Sequence, residues 1–418
     1  MQIELGIGKR TDTLTVNDGN LLAVLTPNKV EYDLTGEDEV RRALREPTGA
    51  GLLRDTVKKG EKIAIVTSDI TRPVPSYKIL PAILEELFAA GIEKEDITVV
   101  LALGSHRCHT EVEQRKLVGD AVFDSVRVVD SNPDDCVHMG ETQIGTPVDI
   151  TRVVAEADRR ICVGNVEYPY FAGYSGGAKA IMPGVSTRAA IQSNHSMMVR
   201  DECCAGRLEG NPIREDIEEA GDVCGIDYIV NVVLDEHKEI IKCAAGDVTL
   251  AHRELCAFLD KLFCVKIPRR ADIVVASQGG APKDLNVYQT QKALDNTKHA
   301  VKNGGIIILV GSCAEGMGEK TFETWMREAQ KPSDLTERIA REFRLGGHKA
   351  AAIAMVLQNA EIYLVSDLPD EEVEKMFMKP FKTVQEAYEA ALGKLGENAE
   401  TIVMPYGGST LPRVEAAI

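Results

Sequence analysis

Residues 62–104 read KIAIVTSDITRPVPSYKILPAILEELFAAGIEKEDITVVLALG, and this stretch decides the fold. Lys62–Asp69 is an apolar run of strand length that ends in polar residues. In Ser76–Gly91, Leu80, Ile83, Leu84 and Leu87 recur at the spacing of one helix face. Pro81 lies near the start, where proline is tolerated, and Gly91 supplies a stop. Ile97–Gly104 is another β-branched run closed by glycine. Strand, helix and strand in this order predict a parallel sheet covered by helices.

The alternation continues outward. Thr110 and Glu113 form a capping-box pattern for a helix through Val118. Ser125–Asp130, Arg160–Gly164, Asp227–Leu234 and Ile240–Cys243 have strand character, and Asp247–Phe263 reads as helix. After the basic stretch Lys266–Arg270, strands are expected at Ala271–Ser277, Gly305–Gly311, Ala360–Val365 and Thr401–Met404. Helices are expected at about Tyr288–Lys302, Ser333–Phe343, His348–Gln358 and Val384–Leu395. The expected fold class is therefore α/β with two domains, 1–268 and 269–418, each a mainly parallel sheet flanked by helices. A chain of 418 residues exceeds one ordinary core, which fits two.

Composition narrows the function classes. Hydrophobic residues at 44% and charged residues at 27% fit a globular protein and exclude disorder. A net charge of −17 excludes a nucleic-acid backbone reader, which needs a basic face. No apolar run approaches a membrane span and no targeting signal opens the chain, so a cytoplasmic protein is expected. The ten cysteines show no Cys-x-x-Cys spacing, which argues against a zinc-finger or disulfide framework.

Four segments carry chemistry. In Tyr168–Gly184 (YPYFAGYSGGAKAIMPG), glycines crowd around Ser175 and lead to Lys179. Backbone amides of Ser175, Gly176 and Gly177 could approach a bound group there while the lysine reaches it. A desolvated lysine suits covalent work, either a Schiff base to a pyridoxal cofactor or an amide-type bond to another cofactor; the plain alternative is a glycine-rich connection with a solvated lysine. Sixteen residues on, His195 stands in a helix-like stretch, as a metal ligand or as a structural histidine. Asp69 and Arg72 follow one strand and His106 follows the next, and strand ends are where open α/β sheets bind ligands. Arg72 could hold an anion or simply pair with Asp69, and His106 with His109 could form half of a zinc site. In the second half, Gln289 and Lys292 are three apart and would share a helix face, exposed or functional.

Taken together, DITRPVP (Asp69–Pro75), GSHRCHT (Gly104–Thr110), FAGYSGGAKAIMPGVSTRAAIQSNH (Phe171–His195) and DLNVYQTQKA (Asp284–Ala293) resemble the lactate racemase family, in order along most of the chain. The resemblance implies a nickel-pincer nucleotide, pyridinium-3,5-bisthiocarboxylic acid mononucleotide, covalently attached to Lys179, with His195 as the protein ligand to nickel. It implies that Asp69 and Arg72 surround nucleotide and substrate, that His106 is an acid/base, and that Gln289 and Lys292 come to the substrate from the second domain, the active site lying in the interdomain cleft. The implied reaction inverts the 2-carbon of a small 2-hydroxy acid through hydride abstraction and a 2-keto acid, and the implied partners are that substrate and cofactor-synthesising enzymes. Hydride removal avoids piling negative charge beside a carboxylate.

One departure stands out. Symmetric racemases of the family carry a second catalytic histidine shortly before the Gly-Tyr-Ser-Gly-Gly segment, and here that stretch is Glu167-Tyr168-Pro169-Tyr170. Tyr168, Tyr170 or Glu167 could replace it, or His109 could fold into the role, or the substrate could differ from lactate, polyhydroxy acids included. Two other readings remain: a pyridoxal enzyme of amino acids built on Lys179, and a non-catalytic binder of a phosphorylated small molecule.

Overall fold

The computed structural model describes residues 1–72, 74–235 and 237–415. Pro73, inside the DITRPVP segment, lies outside the described residues. The chain divides into two compact units, Val30–Asp260 and a second made of Met1–Lys29 with Lys261–Ile418.

The unit Val30–Asp260 is built on a six-stranded sheet. Its spatial order is Ile240–Gly246, Tyr228–Leu234, Arg159–Asn165, Ile63–Ser68, Ile97–Ala102 and Arg127–Asp130. All neighbours run parallel except Tyr228–Leu234 against Ile240–Gly246. Five of the six residues of Ile63–Ser68 are buried, as a central strand covered on both faces requires. The helix Ser76–Ala89 buries Ile79, Leu80, Ile83, Leu84 and Leu87 against this sheet's core, which is the face its spacing predicts. The capping box at Thr110 and Glu113 is formed and starts the helix Glu111–Val118.

Strand order has a consequence for function. Ile63–Ser68 is the first strand of this sheet in the chain; the next two lie on one side of it and Arg159–Asn165 lies on the other. The connections therefore diverge between Ile63–Ser68 and Arg159–Asn165, and such a switch point opens a crevice at the strands' carboxyl ends.

The other unit carries a six-stranded parallel sheet, in the order Lys379–Phe381, Ala360–Val365, Val301–Val310, Ala271–Ser277, Thr401–Met404 and Leu21–Val24. The last of these differs from a single cut at 268/269: the first 29 residues belong with the C-terminal half. Leu21–Val24 pairs with Thr401–Met404, and Leu5, Ile7 and Leu14 share a core with Ile273, Val275 and Ile308. The helix expected over Tyr288–Lys302 is instead two short pieces, Val287–Thr290 and Lys292–Thr297, because Val301 already pairs with Ala271 as strand. Gln291 between them keeps right-handed helical angles, so Gln289 and Lys292 stay on one winding path. Among the described residues no helix is long and apolar enough to cross a membrane.

Candidate active site

Three adjacent parallel strands bring the predicted residues of the first unit to one edge. Asp69 and Arg72 follow Ile63–Ser68, His106 follows Ile97–Ala102, and the loop carrying Lys179 follows Arg159–Asn165. His106 Nδ1 lies 2.6 Å from Asp69 Oδ2, and Thr71 Oγ also reaches the Asp69 carboxylate at 2.9 Å. Burial acts to raise the Asp69 pKa, but the His106 hydrogen bond and charge, with Thr71 and Arg72, outweigh it and hold the carboxyl below its ordinary value. The carboxylate thus accepts the Nδ1–H of His106 and leaves Nε2 with the lone pair, the arrangement a general base needs.

His109 has a different task. Its side chain is 1% exposed, Nδ1 faces Asp130 Oδ1 at 2.7 Å, and Nε2 accepts the Ile70 N–H at 3.1 Å. With both nitrogens committed, His109 is neither a second acid/base nor a zinc partner of His106, correcting those two options. It pins the backbone between Asp69 and Arg72 from beneath. Replacing His109 by Leu leaves the Ile70 N–H and part of the Asp130 carboxylate without partners. A loss of about 1–3 kcal/mol is expected, read as a lower urea midpoint at unchanged slope. An unchanged midpoint would contradict this role.

Several amides of the glycine-rich loop are engaged within the protein. The Tyr174, Ser175, Gly177 and Lys179 N–H groups donate to Ala172 O, Glu167 O, Asn231 Oδ1 and Gly176 O, so they are turned inward. The Ser175 hydroxyl is also internal, donating to Asn165 O and accepting from the Glu167 N–H. The glycines serve close packing: φ is 76° at Gly176, where a Cβ would meet Asn231 Oδ1 at 2.6 Å. Lys179 sits in the short 3-10 turn Gly177–Ala180. Burial, then the charges of Arg72 and Arg214, depress its amine to about 7 against a smaller opposing effect of Glu167. At neutral pH a large share of Lys179 is an uncharged nucleophile.

His195 closes the helix Arg188–His195 and is buried. Asn194 Nδ2 donates to Ile213 O and Asp216 Oδ2, which orients its Oδ1 toward His195 Nδ1 at 2.8 Å. That contact fixes the proton on Nδ1, so Nε2 carries the lone pair a metal would use. The Phe171 ring joins the two halves of the site: the Lys179 amine lies 5.9 Å from its centroid and the His195 ring 4.9 Å. Among the described residues no group of three or more His, Cys, Asp or Glu side chains is placed to hold a metal by itself.

Around the loop, the Tyr168 and Tyr174 phenols both donate to Asp260 Oδ1, at 2.5 and 2.6 Å, and Tyr170 packs edge-on to Phe171. In the other unit, Gln278 Nε2 donates to the Gln289 carbonyl at 3.0 Å, and Lys292 is exposed at the start of its helix. There the buried Lys349 amine donates to Tyr288 O at 2.6 Å and lies 4.1 Å from the Tyr288 ring centroid. The sequence alone gives no role to Lys349, Asn194, Asp216, Asn231 or Asp260, whose polar side chains the fold buries or pairs.

Fold and site define a two-unit α/β enzyme with a histidine–aspartate pair and a lysine of depressed pKa at a sheet switch point. The lactate racemase N-terminal domain matches residues 7–205 and the lactate racemase C-terminal domain matches residues 267–411. A lactate racemase of Thermoanaerobacterium thermosaccharolyticum is 33% identical across 98% of this chain and 99% of its own, and one of Lactiplantibacillus plantarum is 32% identical across 97% and 98%. The apoprotein structure of the former superposes with a TM-score of 0.87 at 32% identity, covering 99% of this chain and 100% of that one. A Thermotoga maritima protein at 18% identity and TM-score 0.62, covering 92% of this chain and 100% of its own, shares the fold. The chain belongs to the lactate racemase family, and it is an isomerase of the racemase type.

Proposed function

We propose that this enzyme inverts the 2-carbon of a small 2-hydroxy acid, with a nickel-pincer nucleotide anchored on Lys179 and liganded by His195. The observation that carries the reading is the Phe171 ring with the Lys179 amine 5.9 Å and the His195 ring 4.9 Å from its centroid, both within one unit. The residues fit such a group: the amine is depressed to about 7, so a substantial share is uncharged at neutral pH, and the imidazole turns Nδ1 to Asn194. A single protein ligand would be enough where the nucleotide supplied the other donors, and an imidazole suits nickel. When bound, the group supplies an electron-poor centre that takes up and returns the C2 hydrogen with its electron pair.

The chain's own residues do the rest. His106, held by Asp69, receives the substrate hydroxyl proton on Nε2 and gives it back, while the substrate passes through a planar 2-keto acid. Arg72 offers a planar fork to a carboxylate. Gln289 and Lys292 are assigned to substrate binding in the same proposal. For the second face, the chain offers phenols in place of an imidazole: Tyr168, whose proton already points at Asp260, and Tyr170.

Lactate is the first substrate to test, followed by larger 2-hydroxy acids and polyhydroxy acids. Nickel-loaded protein, produced alongside cofactor-synthesising enzymes, is mixed with each 2-deuterated acid in ordinary water. Inversion that keeps the deuterium on C2 is expected. Inversion that replaces it with solvent hydrogen would reject hydride transfer and favour proton abstraction.

A further inference from the structure

Beneath the glycine-rich loop lies a buried basic cluster that the reaction above does not use. Arg214 is 1% exposed, in the first turn of the helix Pro212–Cys224, whose Asn211 cap holds the Arg214 N–H. Its guanidinium donates to Tyr174 O at 3.2 Å and to Gly176 O at 3.3 Å. His252 fills the gap between them, its Nε2 donating to Ser175 O at 2.8 Å. Three consecutive carbonyls of the loop are therefore held from one side.

The cluster is internally consistent. His252 Nδ1 accepts from Arg214 Nη2 at 3.3 Å and from Arg253 Nη1 at 3.1 Å, so the ring must carry its proton on Nε2 and stay neutral. Burial, and then the Arg214 charge, push its pKa well below the ordinary histidine value. Glu218 balances the cations, accepting Arg214 Nε at 2.6 Å and both Arg253 terminal nitrogens at 2.8 Å. There is no slack in the contact: a Cβ on Gly177 would stand 3.0 Å from Arg214 Nη2 and 3.1 Å from the His252 ring.

A buried arginine is a costly way to satisfy two carbonyls, since water or a neutral amide would serve. What an arginine adds is a fixed positive charge held against the loop that leads to Lys179. We infer that Arg214 and His252 are positioning residues for Lys179, clamping the 174–176 backbone so that the following turn presents the lysine amine in one fixed place. The inference goes beyond the cofactor assignment, resting on it only in taking Lys179 as the anchor. The charged groups acting on the amine are Arg72 from one strand end, Arg214 from the helix below, and Glu167 from the loop itself. Arg72 is exposed on a loop, whereas Arg214 is buried and hydrogen-bonded to the loop carbonyls.

The test uses apoprotein and trace acetic anhydride over a pH series, with Lys179 acetylation read by peptide mass against the other lysines as internal standards. The amine bonds to the acetyl carbon, acetate leaves, and the amine's proton goes to solvent. Wild-type Lys179 is expected to label with a midpoint near 7. In Arg214→Met the midpoint is expected to rise by about one unit, lowering labelling at pH 7 about fivefold, while Arg214→Lys recovers part of the shift. Folded Arg214→Met with the wild-type midpoint would overturn the inference. Should that variant fail to fold, the His252 pair decides: His252→Gln keeps a donor for Ser175 O and should label like wild type, whereas His252→Leu should not, and equal labelling of folded His252→Leu and wild type would also overturn it. Because no cofactor is present, these outcomes are separate from whether Lys179 carries the nucleotide in the active enzyme.

Discussion

Replacing Lys179 by alanine is expected to abolish racemisation, by at least about 10⁴-fold, the scale on which loss of a covalent centre is felt, while the protein stays folded. The fold should survive because the turn around Lys179 is held by backbone and by other side chains: Gly177 N–H on Asn231, the Lys179 N–H on Gly176 O, and the carbonyls of residues 174–176 on Arg214 and His252. None of these needs the amine. Lys179→Arg should fail as completely, because a guanidinium stays charged and offers no lone pair. Activity in Lys179→Arg comparable with wild type would mean that residue 179 contributes charge and not a bond. Removing a desolvated amine also relieves a folding cost. With the folded value near 7 and the unfolded value near the ordinary lysine value, wild-type stability rises with pH across that window, and Lys179→Ala should flatten the rise.

His106→Asn is expected to lower kcat by about 10²–10⁴, the usual contribution of a positioned acid/base, with substrate affinity little changed. The loss should be chemical because His106 touches the rest of the site through Asp69 and Thr71 alone among the described contacts. Asp69→Asn should cost less, since an amide leaves the imidazole present with its tautomer no longer fixed. The pair also predicts a pH signature in stability. The Asp69 carboxyl is held below its ordinary value, so its contribution is complete above the unfolded aspartate value and is lost as pH falls through the lower, folded one. Acid unfolding of Asp69→Asn should therefore show a shallower dependence in that window than wild type. An identical acid limb in both proteins would contradict the charge-assisted pairing.

Much of this arrangement was legible in residues 62–104. The helix Ser76–Ala89 and the strands beside it announce themselves because each carries its own period, independent of distant partners. Once parallel strands are inferred, their carboxyl ends must lie along one edge, which is why Asp69, Arg72 and His106 could be placed together without coordinates. The partition of the chain was less accessible. Leu21–Val24 is four residues long and finds its neighbour at Thr401–Met404, a pairing that no local pattern encodes. The glycine-rich loop suggests a bed of amides in sequence, yet its carbonyls are the groups that are gripped, because a buried arginine and histidine from elsewhere in the chain reach them. Arg214 and Glu218 are four apart on a helix and look like a solvated ion pair in sequence; tertiary packing alone makes Arg214 a core residue. His109 likewise looked as reactive as His106 until Asp130 and the Ile70 N–H were seen to occupy both of its nitrogens.

The central claim is that one amine and one imidazole hold the same bound nucleotide. Peptide mass mapping of racemising, nickel-loaded protein tests it most directly. The peptide containing Lys179 should carry the mass of the nucleotide in proportion to activity, with nickel present at the same occupancy and lost when His195 is replaced by alanine. Full turnover by protein whose Lys179 is unmodified would contradict it.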